Sequence, residues 1–380
     1  MVYLCLALFV YVCFALKNNK IIKTTLGNEI IVPAKEKEQK ISWLAVVVLI
    51  LFCGLRAFSV GSDLVHYKWV FDRIAQSHNI NAGDYFYGAL YKILNWLCAL
   101  ISVKEIGFTI LLVVISAIVV LFAVVVAKTI SKDISMAMFL FVCFDVYISS
   151  FSMLRQSIAV AFVMLAFKFM IDRKPWNFVL CVFSAYFFHE SAIFILPIYL
   201  FNFVNNQKKE LVMYAVGLII MIVFALYDEQ IIIKLCRVLN LHYYSSYGME
   251  GNPMTMMSYV KAVLMIGIFV FFLLYRGYCK KKNIKLSKAY SISLMWFYLT
   301  VLLNVYNIIA GEFLTHSRMT YYLSWVLMLL VPEFLNSIEN KKWKKIFTIL
   351  MIVAGICYLS TTVVLRDQFI VNPYKTIFQV

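Results

Sequence analysis

Four short stretches of the sequence place arginine or histidine beside hydroxyl, amide or carboxylate side chains. They are Leu55–Tyr67, which contains Arg56, Asp63, His66 and Tyr67; Arg155-Gln156; His189-Glu190; and His316-Ser317-Arg318. Planar guanidinium groups suit bidentate binding of phosphate or carboxylate oxygens, and a histidine beside a carboxylate can act as a base near neutral pH. These residue types predict a site that binds an anionic group and moves a proton.

Each arginine also has a structural explanation. Arg56 can snorkel at the end of a membrane helix. Arg155 can pair with Asp145, ten residues earlier in the chain. Arg318 can pair with Glu312. Serine and glutamine side chains beside Arg155 supply further hydrogen-bond partners for a ligand, which favours a binding role there.

The composition is that of a membrane protein. The chain has 380 residues, of which 63% are hydrophobic and 14% charged, and its mean hydropathy is +0.86. Soluble domains are usually about half apolar and about a quarter charged. We therefore expect one all-α, polytopic integral membrane domain over residues 1–380. The net charge of +16 lies mostly in short loops between apolar runs, which indicates the positive-inside pattern rather than a nucleic-acid partner.

About twelve apolar runs are long enough, with tilting, to cross a bilayer. They cover residues 1–16, 41–55, 106–127, 136–151, 156–171, 177–189, 191–204, 211–227, 259–275, 290–310, 319–336 and 346–365. The runs within 177–204 can also form one bent hairpin. Lys92, Asn95 and several tyrosines interrupt the stretch 85–102. We predict an amphipathic or re-entrant helix at the outer face for that stretch; the alternative is a thirteenth span.

Basic loops determine the predicted orientation. Six loops carry clusters of lysine or arginine: 17–40, 128–135, 172–176, 205–210, 276–289 and 337–345. If all six are cytoplasmic, the twelve runs alternate across the membrane without conflict, provided that 85–102 does not cross. The loops 56–105 and 228–258 then lie outside. Connections of this length are usually lids or binding loops, so we expect both to serve the site.

Arginine and histidine are distributed differently from lysine in this topology. Only Arg173 and Arg276 of the eight arginines are cytoplasmic, whereas 21 of the 27 lysines lie near the cytoplasm and all five histidines lie outside. Orientation alone would enrich lysine and arginine together, so the outer arginines need a chemical cause such as phosphate recognition. Tyr243 and Tyr244, next to His242 on the outer loop, are candidate substrate contacts.

Several common chemical motifs are missing from the sequence. No glycine-rich nucleotide loop, HExxH zinc helix or GxSxG elbow occurs, and the nine cysteines form no CxxC pair. We expect no metal, no cofactor and no disulfide. The energy for any reaction must then come from an activated substrate or a gradient.

Four motifs, in chain order, resemble those of EpsG-like, Wzy-type polysaccharide polymerases. Leu55-Arg56, followed by Val60-Gly61-Ser62-Asp63 and Tyr67, resembles the LR-x-vG-x-D-x-x-x-Y element near the start of that family. The others are Leu154-Arg155-Gln156-Ser157-Ile158-Ala159, similar to LRQ-x-iA; His189-Glu190-Ser191-Ala192, similar to H-x-S-A; and Ser317-Arg318-Met319-Thr320-Tyr321-Tyr322, similar to R-x-x-x-Y. Together the motifs are fairly specific for the family but not for a substrate.

The resemblance implies a metal-independent membrane glycosyltransferase, for which a GT-C-like architecture is expected. Such an enzyme lies in the bacterial inner membrane with its active site facing the periplasm. It joins oligosaccharide repeat units carried on undecaprenyl pyrophosphate, by moving the growing glycan onto the next lipid-linked unit. The lipid-linked donor and acceptor and the bilayer are the implied partners, and a chain-length regulator protein is a further candidate.

The resemblance also suggests a role for each candidate residue. The arginines hold the departing pyrophosphate, and Arg155 is counted with the catalytic groups because it stabilises the leaving group. His189 is the base, with Asp63 as the alternative. The predicted substrate contacts are Arg56, His66, Tyr67, Gln156, Arg318, Tyr243 and Tyr244.

Three other functions fit parts of the pattern. An O-antigen ligase uses the same donor with a lipid A-core acceptor, but typically has a larger periplasmic loop than 228–258. A polyprenyl-linked glycan flippase or secondary transporter would place charges at the midplane between two related halves, whereas here the charges gather at one face. A membrane sugar O-acyltransferase also needs histidine with arginine, but normally lacks the Arg-Gln hairpin.

Overall fold

The computed structural model is a bundle of helices with one short β-hairpin among the residues that it describes. These residues are 1–16, 20–23, 29–32, 36–82, 88–102, 105–144, 146–204, 207–238, 256–310, 314–367 and 369–379. In the hairpin, β1 (Lys20–Lys23) pairs antiparallel with β2 (Glu29–Val32). Each strand centres on two β-branched isoleucines, which favour extended backbone. In the described part of the chain, this hairpin is the one departure from the predicted all-α architecture.

The helices are numbered in chain order. They are α1 (Val2–Ala15), α2 (Glu36–Gly54), α3 (Leu64–Ser77), α4 (Ala89–Ile101), α5 (Glu105–Ile130), α6 (Ile134–Cys143), α7 (Val146–Ser149), α8 (Leu154–Ile171), α9 (Pro175–Phe188), α10 (Gln207–Val238), α11 (Met256–Lys281), α12 (Lys288–Ala310), α13 (Leu314–Ser324), α14 (Leu327–Ser337) and α15 (Lys341–Ser360). A 3₁₀ segment, Glu190–Phe203, follows α9, and a π-helical turn, Thr361–Leu365, follows α15.

Local sequence signals explain several helix starts. The Asp133 carboxylate accepts a hydrogen bond from the Met136 backbone N–H at 3.1 Å and so caps α6. The Asn340 side chain caps α15 in the same way, and Pro175 occupies the first position of α9, where its missing N–H costs nothing.

Five helices in the described residues are long and apolar enough to cross a membrane, so the chain is a membrane protein. They are Glu105–Ile130, Leu154–Ile171, Ser258–Lys281, Lys288–Ile309 and Lys341–Leu365. Six shorter apolar helices accompany them: Val2–Ala15, Ser42–Gly54, Ala89–Ile101, Ile134–Cys143, Pro175–Phe188 and Glu190–Phe203. The number of twelve crossings and the GT-C-like architecture stay predictions.

The helix boundaries refine three of the predicted segments. The stretch 177–204 is divided at His189 into α9 and the 3₁₀ segment. The run 319–336 is divided between α13 and α14. Helix α10 is broken at Tyr227, where the predicted run 211–227 ends, and a second helical stretch continues to Val238 within the loop 228–258 that was predicted to be a lid. The rest of that loop, 239–255, lies outside the described residues.

The predicted outer helix at 85–102 corresponds to α4. Its 13 residues extend over roughly 20 Å, which is less than the hydrocarbon thickness of about 30 Å. Tyr91 and Asn95 are buried, while Leu97 and Leu100 are exposed. The helix is therefore amphipathic, as the interrupted sequence predicted.

Helix α8 lies at the centre of a chain of helix–helix contacts. Helix α2 packs on α5, α5 on α8, and α8 on α9, while α12 contacts α8 and the 3₁₀ segment. Large apolar side chains such as Leu180, Leu226 and Leu274 remain exposed on the outside of the bundle. In a bilayer such positions face lipid rather than water.

Candidate functional site

The segment Leu55–Tyr67 folds against residues 146–153 of the connection between α6 and α8, which we call the 146–153 hairpin. Gly61 makes the closest approach. Its φ of +127° is disfavoured for other residues, and a Cβ placed on it would lie 2.2 Å from the Phe151 carbonyl oxygen. Gly61 therefore allows the segment to approach the protein's own backbone closely.

Arg56 is completely buried in this contact. Its Nε donates to the Val60 carbonyl at 3.2 Å, Nη2 donates to the Phe151 carbonyl at 2.9 Å, and Nη1 donates to the Cys53 carbonyl. The guanidinium also lies 5.0 Å from the centre of the Phe151 ring. These contacts organise the segment, a role that the sequence did not predict. The predicted contact of Arg56 with a pyrophosphate stays a prediction.

The described residues after the last membrane helix, 366–367 and 369–379, form a tail that packs on the same segment. Three backbone N–H groups of the segment donate to tail carbonyls. The pairs are Ala57 to Lys375 at 2.8 Å, Gly61 to Ile370 at 2.9 Å and Ser62 to Phe369 at 2.9 Å. The tail and the Leu55–Tyr67 segment therefore form one surface, which we call the wall of the candidate site.

Two tyrosines fasten the tail to the bundle. The Tyr3 hydroxyl donates to the Val371 carbonyl at 2.8 Å, and the Tyr374 hydroxyl donates to the Phe52 carbonyl at 2.8 Å. The Tyr374 and Phe52 rings stack with centres 4.1 Å apart. Burial raises the pKa of Tyr374 to about 12, so the hydroxyl stays protonated as a donor at neutral pH.

Ser152 joins the hairpin, the segment and the tail. Its buried hydroxyl accepts from the Ser62 N–H at 3.0 Å and donates to the Phe369 carbonyl at 2.9 Å. The hairpin leads directly into α8, which begins at Leu154. The position of Arg155 is thereby coupled to the segment and the tail.

Asp63 occupies the N-cap position of α3, but its side chain makes no capping hydrogen bond. Its Oδ1 instead accepts from the Ser62 hydroxyl at 3.1 Å, and the carboxylate is only half-buried. Because the Asp63 carboxylate does not cap the helix, its oxygens can accept a hydrogen bond from a ligand.

Helix α3 sends its candidate residues in two directions. Tyr67 is buried with its ring centre 5.8 Å from that of Tyr91 on α4. His66 is exposed and stacks on Trp69 at 5.8 Å, and the Arg73 guanidinium lies 4.8 Å from the Trp69 ring centre. Tyr67 therefore holds α3 to α4, whereas His66 belongs to an exposed aromatic surface.

Arg155 and Gln156 lie in the first turn of α8 and are both buried, with 8% and 3% of their surface exposed. The first turn of a helix presents free backbone N–H groups and the positive end of the helix dipole. A guanidinium at this position adds a full charge, so the start of α8 suits an anionic group.

His189 lies where α9 ends and the 3₁₀ segment begins, in extended backbone conformation, and is 6% exposed. Its Nδ1 lies 2.8 Å from the Ser191 hydroxyl and 3.1 Å from the Tyr322 hydroxyl on α13. Ser191 also donates to Tyr322 at 3.2 Å. We call these three residues the His189 cluster. The two hydroxyl groups beside Nδ1 fix the orientation of the imidazole ring. Neither of them contacts Nε2, the other ring nitrogen.

Packing connects the His189 cluster to the wall. Gly88, which precedes α4, lies against the end of α9, where an added Cβ would be 2.2 Å from the Phe187 carbonyl oxygen. On the other side, the Phe369 ring of the tail lies 6.1 Å from the Tyr321 ring, next to Tyr322. The wall therefore reaches the cluster both through α4 and through the tail.

Other candidates are only partly placed. Arg318 lies within α13, but the structure describes only its backbone. Tyr243, Tyr244 and Asp145 lie outside the described residues altogether.

Two groups of residues were not assigned roles from the sequence. Ser191 and Tyr322 stand inside the quoted motifs HESA and SRMTYY, so their partnership with His189 had a signal. No sequence signal pointed to the Ser152 hydroxyl or the Phe369 carbonyl. A serine in a loop and a backbone carbonyl can each bond many partners, so their residue types do not predict which one they bond.

Comparison with known proteins gives one match to this chain. A family model described as the EpsG family matches residues 41–376. No curated protein and no solved structure matches the chain. The matched range includes the Leu55–Tyr67 segment, the start of α8, the His189 cluster and the tail up to residue 376.

Proposed function

Because the chain belongs to the EpsG family of polysaccharide polymerase-like membrane proteins, we propose that it joins oligosaccharide repeat units carried on undecaprenyl pyrophosphate. The reaction takes place at the outer face of the bacterial inner membrane, between a lipid-linked donor and a lipid-linked acceptor. The family match over residues 41–376 carries this proposal. A chain-length regulator protein is a further partner of such a reaction.

His189 is the proposed base. The Ser191 hydroxyl donates a hydrogen bond to the Tyr322 hydroxyl. The Ser191 oxygen can therefore accept a hydrogen bond from the His189 Nδ1–H at 2.8 Å. This tautomer leaves a lone pair on Nε2, which takes the proton from the acceptor hydroxyl as the new glycosidic C–O bond forms. The bond between the donor sugar and its pyrophosphate breaks in the same transfer. Asp63, with its uncapped carboxylate, is the alternative base.

Arg155 is the proposed partner of the departing pyrophosphate. A buried guanidinium at the start of a helix stabilises the negative charge that develops as the sugar leaves. Arg318 is a second candidate. Gln156, beside Arg155, and His66, on the exposed surface of α3, are proposed sugar contacts.

Polymerisation by the purified full-length protein tests the proposal. The protein in lipid nanodiscs is incubated with synthetic polyprenyl-pyrophosphate-linked repeat units, and the glycans are separated by size. A ladder of polymers with release of polyprenyl pyrophosphate is expected. Single repeat units alone, or transfer only to a lipid A-core acceptor added to the same reaction, would overturn the proposal.

Two substitutions test the site within that assay. Arg155→Lys keeps the charge but loses the bidentate geometry, so it should lower the polymerisation rate by at least about tenfold. Arg173→Lys is the matched control, because Arg173 is exposed in the α8–α9 turn. His189→Gln should lower the rate by about 100-fold through loss of the base. Rates equal to those of the control would remove these residues from the mechanism.

A further inference from the structure

A cavity lies where the tail meets the ends of two apolar helices. Its volume is about 190 Å³, and its lining comes from the start of α1, the last turn of α15 with the π-helical turn after it, and the tail. An apolar cavity of roughly 150 Å³ is already large enough to hold benzene. The cavity therefore has room for a chain fragment of several carbon atoms.

The lining divides into an apolar part and a polar part. Aliphatic side chains form most of it: Val2, Leu4, Leu359, Val363 and Val364. The polar side chains are those of Ser360, Asn372, Tyr3 and Tyr374. Both tyrosine hydroxyls already donate to backbone carbonyls. The Ser360 hydroxyl and the Asn372 amide have no hydrogen-bond partner in the described part of the chain, so they remain as neutral donors for a ligand.

The cavity lies at the end of a membrane helix. The candidate span Lys341–Leu365 ends with the π-helical turn, and its last two residues, Val364 and Leu365, are 49% and 78% exposed. Val2 on α1 is 43% exposed. Exposed aliphatic side chains at the end of a span face lipid rather than water. Because Val2 and Val364 also line the cavity, a lipid chain can reach it from the side.

The π-helical turn is a second, independent feature of this place. Its hydrogen bond runs from the Arg366 N–H to the Thr361 carbonyl, five residues earlier, at 3.0 Å. Val363 and Val364, which this turn contributes, both line the cavity. Single π-helical turns are rare and occur frequently at functional sites, so the turn favours a binding role for the cavity.

The lining also indicates which kind of lipid fits. No charged side chain lines the cavity in the described part of the chain. Asp367, just beyond the π-helical turn, is occupied, because its Oδ1 accepts from the Val371 and Asn372 N–H groups at 2.7 and 3.1 Å. An acyl chain begins at an ester, whose oxygens accept from neutral donors, whereas a polyprenyl phosphate carries its charge directly on the chain. Aliphatic groups beside a free hydroxyl and a free amide match the ester.

We propose that this cavity binds the ester end of one acyl chain of a membrane glycerophospholipid, and that the bound chain supports the docked tail. Asn372 lies between the two tail positions that are fastened to the bundle, the Val371 carbonyl and the Tyr374 ring. A chain in the cavity contacts the tail there and α15 on the other side. It therefore stabilises the arrangement in which the tail meets the Leu55–Tyr67 segment.

A photoreactive phospholipid tests the proposal. Full-length protein in detergent, stripped of lipid, is titrated with phosphatidylethanolamine that carries a diazirine beside one ester, and the labelled peptides are mapped after irradiation. Labelling around Val364 and Leu4 should saturate, whereas labelling around Leu274, an exposed residue on α11, should rise in proportion to the lipid. A proportional rise at both places would show annular lipid only and overturn the proposal.

Unlabelled competitors identify the class of lipid. Excess phosphatidylethanolamine should remove the saturable labelling, whereas the same amount of polyprenyl phosphate should leave most of it. Equal or stronger displacement by polyprenyl phosphate would contradict the glycerophospholipid assignment.

A matched pair of substitutions tests the cavity itself. Ser360→Leu fills it and removes a donor, so the saturable labelling should fall several-fold. Thr361→Leu is the control, because Thr361 does not line the cavity and its hydroxyl already donates to the Cys357 carbonyl at 2.8 Å. An equal loss in both variants, or in neither, would remove the cavity from lipid binding.

Hydrogen–deuterium exchange measures the effect on the tail. Added phosphatidylethanolamine should slow exchange of the Ala57, Gly61 and Ser62 amides, which donate to the tail, in the unsubstituted protein and in Thr361→Leu but not in Ser360→Leu. Exchange that ignores the lipid in the unsubstituted protein would refute the support of the tail. None of these measurements depends on polymerase activity, so they stand apart from the proposed function.

Discussion

Removal of the Ser152 hydroxyl should loosen the tail from the wall of the candidate site. The hydroxyl makes two buried hydrogen bonds, one from the Ser62 N–H at 3.0 Å and one to the Phe369 carbonyl at 2.9 Å. Each is worth about 0.5–1.5 kcal/mol net. In Ser152→Ala the Ser62 N–H still donates to Phe369 at 2.9 Å, so no backbone group is orphaned. Only the bond to Phe369 reaches the tail, so the expected loss is about 0.5–1.5 kcal/mol of tail docking.

Hydrogen–deuterium exchange measures this loss directly. The Ala57, Gly61 and Ser62 amides donate to the tail, so they exchange only when it opens. A loss of about 1.4 kcal/mol would speed their exchange about tenfold. Ser149→Ala is the control, since this buried hydroxyl donates only to the Val146 carbonyl within α7. If exchange in Ser152→Ala matched the control, the hydroxyl would not hold the tail.

Three further substitutions test other parts of the structure. Gly61→Ala should destabilise the fold by more than about 2 kcal/mol in thermal unfolding, because it combines a positive φ with a Cβ 2.2 Å from a carbonyl oxygen; Gly267→Ala, with nothing within 4 Å, should be neutral or stabilising. Glu210→Gln breaks a largely buried ion pair between α10 and α11 and should lower the free energy of unfolding by about 3 kcal/mol. Asp172→Asn breaks a more exposed pair between residues four apart in the chain and should lower it by about 0.5 kcal/mol. Tyr322→Phe removes one hydroxyl from His189 Nδ1 and should lower the polymerisation rate about tenfold with KM unchanged; an equal change in KM would indicate a substrate contact instead.

Much of the helical framework could be predicted from the sequence. Long apolar runs such as 106–127 correspond to α5, and the polar interruption in 85–102 predicted the amphipathic α4. The break at His189 was visible as a polar pair between two apolar runs. The hairpin β1–β2 was not predicted, because four-residue strands inside a lysine-rich loop give no reliable periodicity.

The tail could not be predicted, and the reason is physical. Its main contacts with the segment use backbone carbonyls of Phe369, Ile370 and Lys375, and every residue has a carbonyl. Hydropathy finds elements that bury a face, whereas the tail is short and mixed in polarity. The family match up to residue 376 is the comparison that includes it.

Arg56 illustrates why residue type alone does not assign a role. An arginine at the end of an apolar run is equally suited to a ligand and to the chain's own carbonyls, and the structure gives it the latter. Carbonyl dipoles solvate a positive charge without cancelling it, and the partners of this guanidinium are carbonyl oxygens, the Cys53 sulfur and an aromatic ring. In a low-dielectric interior such a charge acts over a longer range than in water. Arg56 therefore holds the Leu55–Tyr67 segment against the connection that leads into α8, and its positive charge stays uncancelled in that contact.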